Sequence, residues 1–263
     1  EAAGNSISDI AELVTYAHKF GAKVFMVVNT ILYEDELPQV QETIRQAYEI
    51  GCDAIIVQDL AILNMELPPI ELYASTQTNI RTVEQARFLE SLGFSRLILA
   101  RELSLQQIAA IKEATEVPLE SFIHGALCVS YSGQCYLSQK ITGRSANRGC
   151  CAQACRSNYT LIDSTGKEVK GPSGDPLVKD SPILSLKDFN LSNRIPELVK
   201  AGITSFKIEG RLKNESYIRN TVLLYRRKID QFLEQNPQYC RASYGRCIGG
   251  FEPNPKATFN RDY

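Results

Sequence analysis

The chain has 263 residues, of which 44% are hydrophobic and 22% charged, with a formal net charge of −1. That length and balance suit one large domain or two small ones, with enough chain to bury a sizeable core. They exclude a globally basic nucleic-acid binder. No apolar run approaches the roughly 18 residues of a membrane span, and no basic-then-apolar leader opens the chain, so it reads as cytoplasmic.

Residues 6–20 (SISDIAELVTYAHKF) carry helical periodicity, with Ile7, Ile10, Leu13, Val14 and Ala17 on one stripe and Ser6 or Ser8 as the cap. Residues 23–29 read as a buried strand, 36–50 as a helix and 53–59 as the next strand. A third strand is expected at 71–75, a helix at 82–92, a fourth strand at 96–100, a helix at 104–114 and a fifth strand at 118–123. After a long irregular stretch come a helix at 192–201, a sixth strand at 203–210 and a long amphipathic helix at 214–234. Within the irregular stretch, 163–188 is rich in Gly, Pro, Lys and Asp and predicts an exposed hairpin or loop.

Apolar strands alternating with amphipathic helices predict a parallel sheet covered by helices. No Gly-rich phosphate fingerprint follows a strand, which weighs against a dinucleotide fold. Polar residues gather instead at strand carboxyl ends, among them Arg101 and Glu102, Glu120 and His124, and Glu209 and Arg211. Such ends converge in a (β/α)8 barrel. Six strands are legible, so two of the eight are expected upstream. The expected division is a partial barrel over 1–236, carrying a cysteine-rich insertion over 124–191, and the start of a further segment over 237–263.

Cys128, Cys135, Cys151 and Cys155 lie within 28 residues at the spacing C-x6-C-x15-C-x3-C, with Cys150 beside the third. Clustered thiolates without a secretion signal suit a metal or redox role rather than disulfides. Zinc knuckles use closer pairs, so the spacing favours an iron–sulfur cluster over zinc. Cys150 either replaces Cys151 as a ligand or stays a free thiol. Cys52 reads as a small buried hydrophobe and His18 as structural.

Between Glu120 and Asp163 there is no acidic residue, while Lys140, Arg144, Arg148 and Arg156 fall in that window. These cations suit an anionic cluster or RNA phosphates, with Tyr131 and Tyr136 as stacking surfaces, or else a solvated basic loop. Glu120 and His124 form a carboxylate–imidazole pair suited to proton transfer, or a hydrogen-bonded core histidine. Strand alternation sends Lys207 and Glu209 to one face, where they bind substrate or pair with each other, and Arg211 suits a carboxylate or phosphate. Arg101 and Glu102 invite the same two readings. No HExxH helix or GxSxG elbow is present, which disfavours a hydrolase. A Cys128–His124 thiol dyad would leave the other cysteines unexplained.

The run Glu120-x-Phe122-x-x-Gly125-Ala126-Leu127-Cys128-x4-Gly133-x-Cys135-x-Leu137-Ser138 resembles the signature of the collagenase-like peptidase family U32. The resemblance extends through TGRSANRG (142–149), PPIELYASTQ (68–77), LARELS (99–104) and FKIEGR (206–211), so it covers nearly the whole chain. Within the family it is most similar to the branch that makes 5-hydroxycytidine in large-subunit ribosomal RNA; a sister branch hydroxylates transfer-RNA uridine. The resemblance implies a TIM-like barrel and a [4Fe–4S] cluster on Cys128, Cys135, Cys151 and Cys155. It implies RNA as the partner and prephenate as a co-substrate; beside it, the reading of the residues gives Glu120, His124, Glu209 and Arg211 as the catalytic candidates. Arg101, Lys140, Arg144, Arg148 and Lys207 would bind substrate. A peptidase and a non-catalytic cluster-bearing accessory protein are the alternatives. The family pattern also places two strands ahead of residue 1 and further chain beyond Tyr263.

Overall fold

The computed structural model describes residues 4–263. In chain order it has α1 (Ile7–His18), β1 (Phe25–Val28), α2 (Leu37–Glu49), β2 (Ala54–Val57), β3 (Glu71–Ala74), α3 (Val83–Ser91), β4 (Arg96–Ile98), α4 (Leu105–Ala114) and β5 (Leu119–Gly125). The chain then leaves the sheet, forming α5 (Leu137–Thr142). It returns through β6 (Phe189–Asn190), α6 (Ile195–Lys200), β7 (Ile203–Ile208) and α7 (Glu215–Gln235). All six strands expected from periodicity are present. The short α5 and β6 have no counterpart in the pattern reading, because neither is long enough to show a period.

Helix starts follow from the sequence. Ser6, Thr82 and Ser104 each accept a hydrogen bond from the backbone N–H three residues on, and Asp9, Gln85 and Gln107 reach back to the cap. This reciprocal capping satisfies donors that a helix end would leave bare. Ser6, not Ser8, caps α1. At the other end, His18 Nε2 lies 3.0 Å from Asp53 Oδ2, which also accepts from the Val24 N–H at 2.7 Å. His18 is therefore structural, as expected.

Six strands run parallel in the order β1-β2-β3-β4-β5-β7, and β6 lies antiparallel on the last residues of β5. The sheet curls as a half-barrel. Alternation divides its residues between two faces. Ile55 and Val57, Leu97, Leu119 and Ile123 join Ile44, Ala47, Ile108, Ile111 and Leu198 of the helices in the main core, and Cys52 is buried with them. The concave face carries a smaller cluster of Ala54, Ile56, Tyr73 and Ile98, with Phe25 against it.

Residues 159–181 form the expected exposed hairpin, with antiparallel bridges Tyr159–Ser181, Ile162–Glu168 and Lys170–Pro176. The stretch from 237, where a further segment is expected to start, lies against the body. The Tyr244 N–H donates to the Phe20 carbonyl at 2.8 Å, Pro255 is buried, and Arg261 lies 3.5 Å from Asp188. Among the described residues no helix is long and apolar enough to cross a membrane, and all eight cysteines are unbridged.

Candidate active site and cysteine segment

The concave face carries a network of charge. Glu120 on β5 is 5% exposed; its carboxylate accepts from Ser205 Oγ at 2.7 Å and Arg96 Nη1 at 3.3 Å, and Lys207 Nζ lies 3.6 Å away. The Arg96 guanidinium lies 4.7 Å from the centre of the Tyr73 ring, so an aromatic wall supports the cation. Nearer the strand ends, Arg101 pairs with Glu209 at 3.4 Å and stacks 3.9 Å over Phe122. Burial pushes the Lys207 ammonium and the Arg101 guanidinium below their usual pKa values; Glu120 opposes this at Lys207 and Glu209 at Arg101. Lys207 and Glu209 thus share the concave side, as alternation predicted, but their partners are Glu120 and Arg101 rather than each other. Arg96 and Ser205 escaped the sequence reading because they sit low on their strands, away from the carboxyl ends where polar residues drew attention.

His124 does not join Glu120. The pairing of β5 with β7 shifts twice, between Leu119 and Glu120 and again between Phe122 and His124, where His124 is opposite Ile208. Such a bulge re-aims the side chain that follows it. His124 turns to the helix side and is 1% exposed, ringed by Tyr217 and Tyr225 of α7 and by Tyr263. Its Nδ1 lies 3.3 Å from the Tyr225 hydroxyl and its Nε2 3.4 Å from the Tyr263 hydroxyl. Tyr225 directs its own proton to the Ile123 carbonyl at 2.6 Å. Nδ1 therefore carries the imidazole proton, and Nε2 accepts from Tyr263. Burial lowers the His124 pKa to about 4, so the ring is neutral near pH 7. Of the two readings of His124, the proton-transfer pair with Glu120 is corrected and the hydrogen-bonded histidine matches, with a tyrosine hydroxyl at each ring nitrogen; the disfavoured Cys128–His124 dyad has no base.

Residues 126–188 rise from the end of β5 and are anchored over the strand ends at several points. Glu102, after β4, accepts from the Ser132 N–H at 3.2 Å and Ser132 Oγ at 3.1 Å. Gly133 has φ +72°, and a Cβ there would stand 2.1 Å from the Gln77 carbonyl oxygen, so only glycine allows this approach. Arg148 donates to Glu36 at 2.5 and 3.0 Å and to the Ile31 carbonyl at 2.7 Å, and stacks 3.9 Å over Tyr33. It is a structural clamp, a correction to its expected role as a free RNA contact. Arg156 likewise donates to the Leu127 and Leu186 carbonyls and to Ser185 Oγ. Lys140 and Arg144 remain exposed. Arg211 sits at the rim, its Nη2 3.5 Å from the Gly149 carbonyl.

The four cysteines come into mutual electrostatic range. The thiols of Cys135 and Cys155 act on Cys128, and those of Cys151 and Cys135 act on Cys155. The surrounding protein pushes the Cys128 and Cys155 thiols up, and Arg101 and Arg156 oppose it. The Cys151 sulfur accepts from the Gln153 N–H at 3.3 Å and from Ser138 Oγ at 3.8 Å, and the Cys135 N–H is fixed by Asn147 Oδ1 at 3.2 Å. Such N–H donors to sulfur tune thiolate-bound metals. Among the described residues no three His, Cys, Asp or Glu side chains stand close enough to hold a metal ion as placed. The donor set, four thiols with arginines beside them, fits a thiolate-bound group in kind.

The family model of peptidase family U32 matches residues 1–263. This chain belongs to peptidase family U32. The U32 chain is 51% identical over 259 residues to a 23S rRNA 5-hydroxycytidine synthase of Escherichia coli (strain K12), covering 98% of the chain and 38% of that protein. It is 36% identical to tRNA hydroxylation protein P1 of Bacillus subtilis (strain 168), covering 86% of the chain and 54% of the relative. It is 31% identical to a collagenase of Porphyromonas gingivalis (strain ATCC BAA-308 / W83), covering 97% and 61%. The U32 chain thus spans about two-fifths to three-fifths of these relatives' lengths.

Proposed function

We propose that this chain is the core portion of an RNA hydroxylase that forms 5-hydroxycytidine in large-subunit ribosomal RNA. The 51% identity over 98% of the chain to the E. coli synthase carries the reading. Transfer RNA is the second substrate class, from the 36% identity to the tRNA hydroxylation protein. In this reading the half-barrel is part of a TIM-like (β/α)8 barrel whose other strands lie outside the sequence, in a cytoplasmic protein. Cys128, Cys135, Cys151 and Cys155 would hold a [4Fe–4S] cluster, which supplies one-electron transfer when bound.

The chain's own residues then divide the work. Lys207, kept in place by Glu120, presents a buried cation to a small anionic co-substrate such as prephenate. Arg211 offers a second carboxylate contact at the rim. Lys140 and Arg144 face solvent in an acid-free window and meet RNA phosphates. A peptidase mechanism lacks a base for Cys128, because both nitrogens of His124 are engaged.

The test is mass spectrometry of ribosomal RNA from a strain deleted for the full-length gene and from its complemented counterpart. Loss of 5-hydroxycytidine at one site, with its return on complementation, is expected. Unchanged modification at every site in the deletion strain sinks the reading.

A further inference from the structure

A cleft of about 680 Å³ opens between the end of β4 and the first turn of the cysteine segment. Its walls include Arg101, Leu103, Leu127, Cys128, Tyr131 and Phe189. The size lies within the roughly 300–1,000 Å³ usual for small-ligand sites, and the lining has their composition: apolar walls with a few polar groups. Glu102 also borders the cleft, but its carboxylate is committed to Ser132. Arg101 is therefore the charged group left to meet an occupant, steadied by Phe122 beneath it and Glu209 beside it.

Tyr131 stands at the mouth and is 58% exposed. The Arg81 guanidinium lies 4.2 Å from its ring centre and covers one face. The ring stays largely exposed beyond that contact, with the cation bracing it. A fixed, half-open aromatic ring beside an apolar slot is what an unstacked nucleobase requires. The basic stretch with Lys140 and Arg144 follows within the same segment, so a strand whose phosphates lie there can reach the cleft.

We propose that this cleft receives a single pyrimidine nucleotide turned out of its RNA strand, with the base against Tyr131 and its acceptor edge toward Arg101. Enzymes that act on a base carbon must take that base out of its stack, and the cleft supplies the receiving site. The proposal rests on the RNA-hydroxylase reading and adds where the base goes and what holds it. It places the base beside Cys128, at the edge of the thiol cluster.

The test uses the full-length protein that contains this chain, purified without oxygen, and a single-stranded ribo-oligonucleotide carrying one 5-iodocytidine. Near-ultraviolet irradiation should crosslink the iodocytidine to the peptide containing residues 127–131. Tyr131→Ala should weaken binding by about fivefold or more, the effect of losing one base–aromatic stack, while Tyr131→Phe keeps it. Leu103→Trp, which fills the slot, should abolish the crosslink while Lys140 and Arg144 still hold the strand. Crosslinks mapping elsewhere, or equal binding by the Tyr131→Ala protein, would overturn the cleft assignment and leave the RNA reading standing. Failure of the unaltered full-length protein to bind the oligonucleotide at all would overturn both.

Discussion

Arg148 and Glu36, 112 residues apart in sequence, are joined by two guanidinium–carboxylate hydrogen bonds at 2.5 and 3.0 Å. The contact ties the cysteine segment to the loop ahead of α2, and the Tyr33 ring closes it from one side. Glu36→Gln removes the charge from one partner and should free the segment locally. Hydrogen exchange should rise several-fold at residues 145–150 and stay unchanged in β2. Arg148 holds the Glu36 pKa at about 2. This contribution is complete above the ordinary carboxylate pKa near 4.5 and is lost as pH falls from there toward 2, so acid should reproduce the variant's exchange pattern.

Gly133→Ala should displace the same segment from its other side. The added methyl would collide with the Gln77 backbone, in a left-handed conformation that alanine resists. Exchange should rise around residues 131–135, and proteolysis should cut there first. A variant as resistant as the parent chain would show that the turn can move without cost.

Glu120→Ala should destabilise the fold by about 3–5 kcal/mol in urea unfolding, because Arg96 and Lys207 lose their shared counter-charge in a largely buried place. Adding Lys207→Met to Glu120→Ala should recover part of the loss, since the second change removes a stranded cation. Additive losses in the double variant would contradict the coupling.

Stability should also fall on mild acidification because of His124. Its pKa is about 4 when folded, against about 6.5 when unfolded. Between those values the unfolded chain binds the extra proton, so the cost appears below pH 6.5 and grows as pH drops toward 4. The limit is about 3 kcal/mol. A His124→Gln protein should show a flatter profile of urea midpoint against pH, and an equal slope in both proteins would refute the assignment.

Anaerobic reconstitution with iron and sulfide should load about four irons per chain. Substituting serine at Cys128, Cys135, Cys151 or Cys155 should lower iron content and the absorbance of thiolate-bound iron, whereas Cys150→Ser should leave both intact. The reverse result at 150 and 151 would exchange their assignments.

The strand–helix alternation was legible because most parallel strands carry an apolar stretch and α1, α3 and α4 each open on a capping pair, such as Ser104 with Gln107. The inward side of Lys207 was legible too, since alternation alone decides it. His124 was misread because a bulge of one residue leaves no mark in composition. Arg148 was misread because nothing local in TGRSANRG shows that Glu36 waits at the far end of the chain. Arg96 and Ser205 were missed for a similar reason: their importance comes from what lies opposite them on Glu120.

The bulge in β5 gives one strand two destinations. Up to Phe122 its polar side chains serve the concave face; beyond it, His124 serves α7 and the returning end of the chain at Tyr263. Residue count between Glu120 and Gly125 is therefore constrained more tightly than residue kind. Ile123 can change to another aliphatic side chain with modest effect, but deleting it would draw the imidazole back along the strand, away from Tyr225 and Tyr263, and empty the place Ile123 fills in the core. Families built on this strand should vary in letters here and never in length.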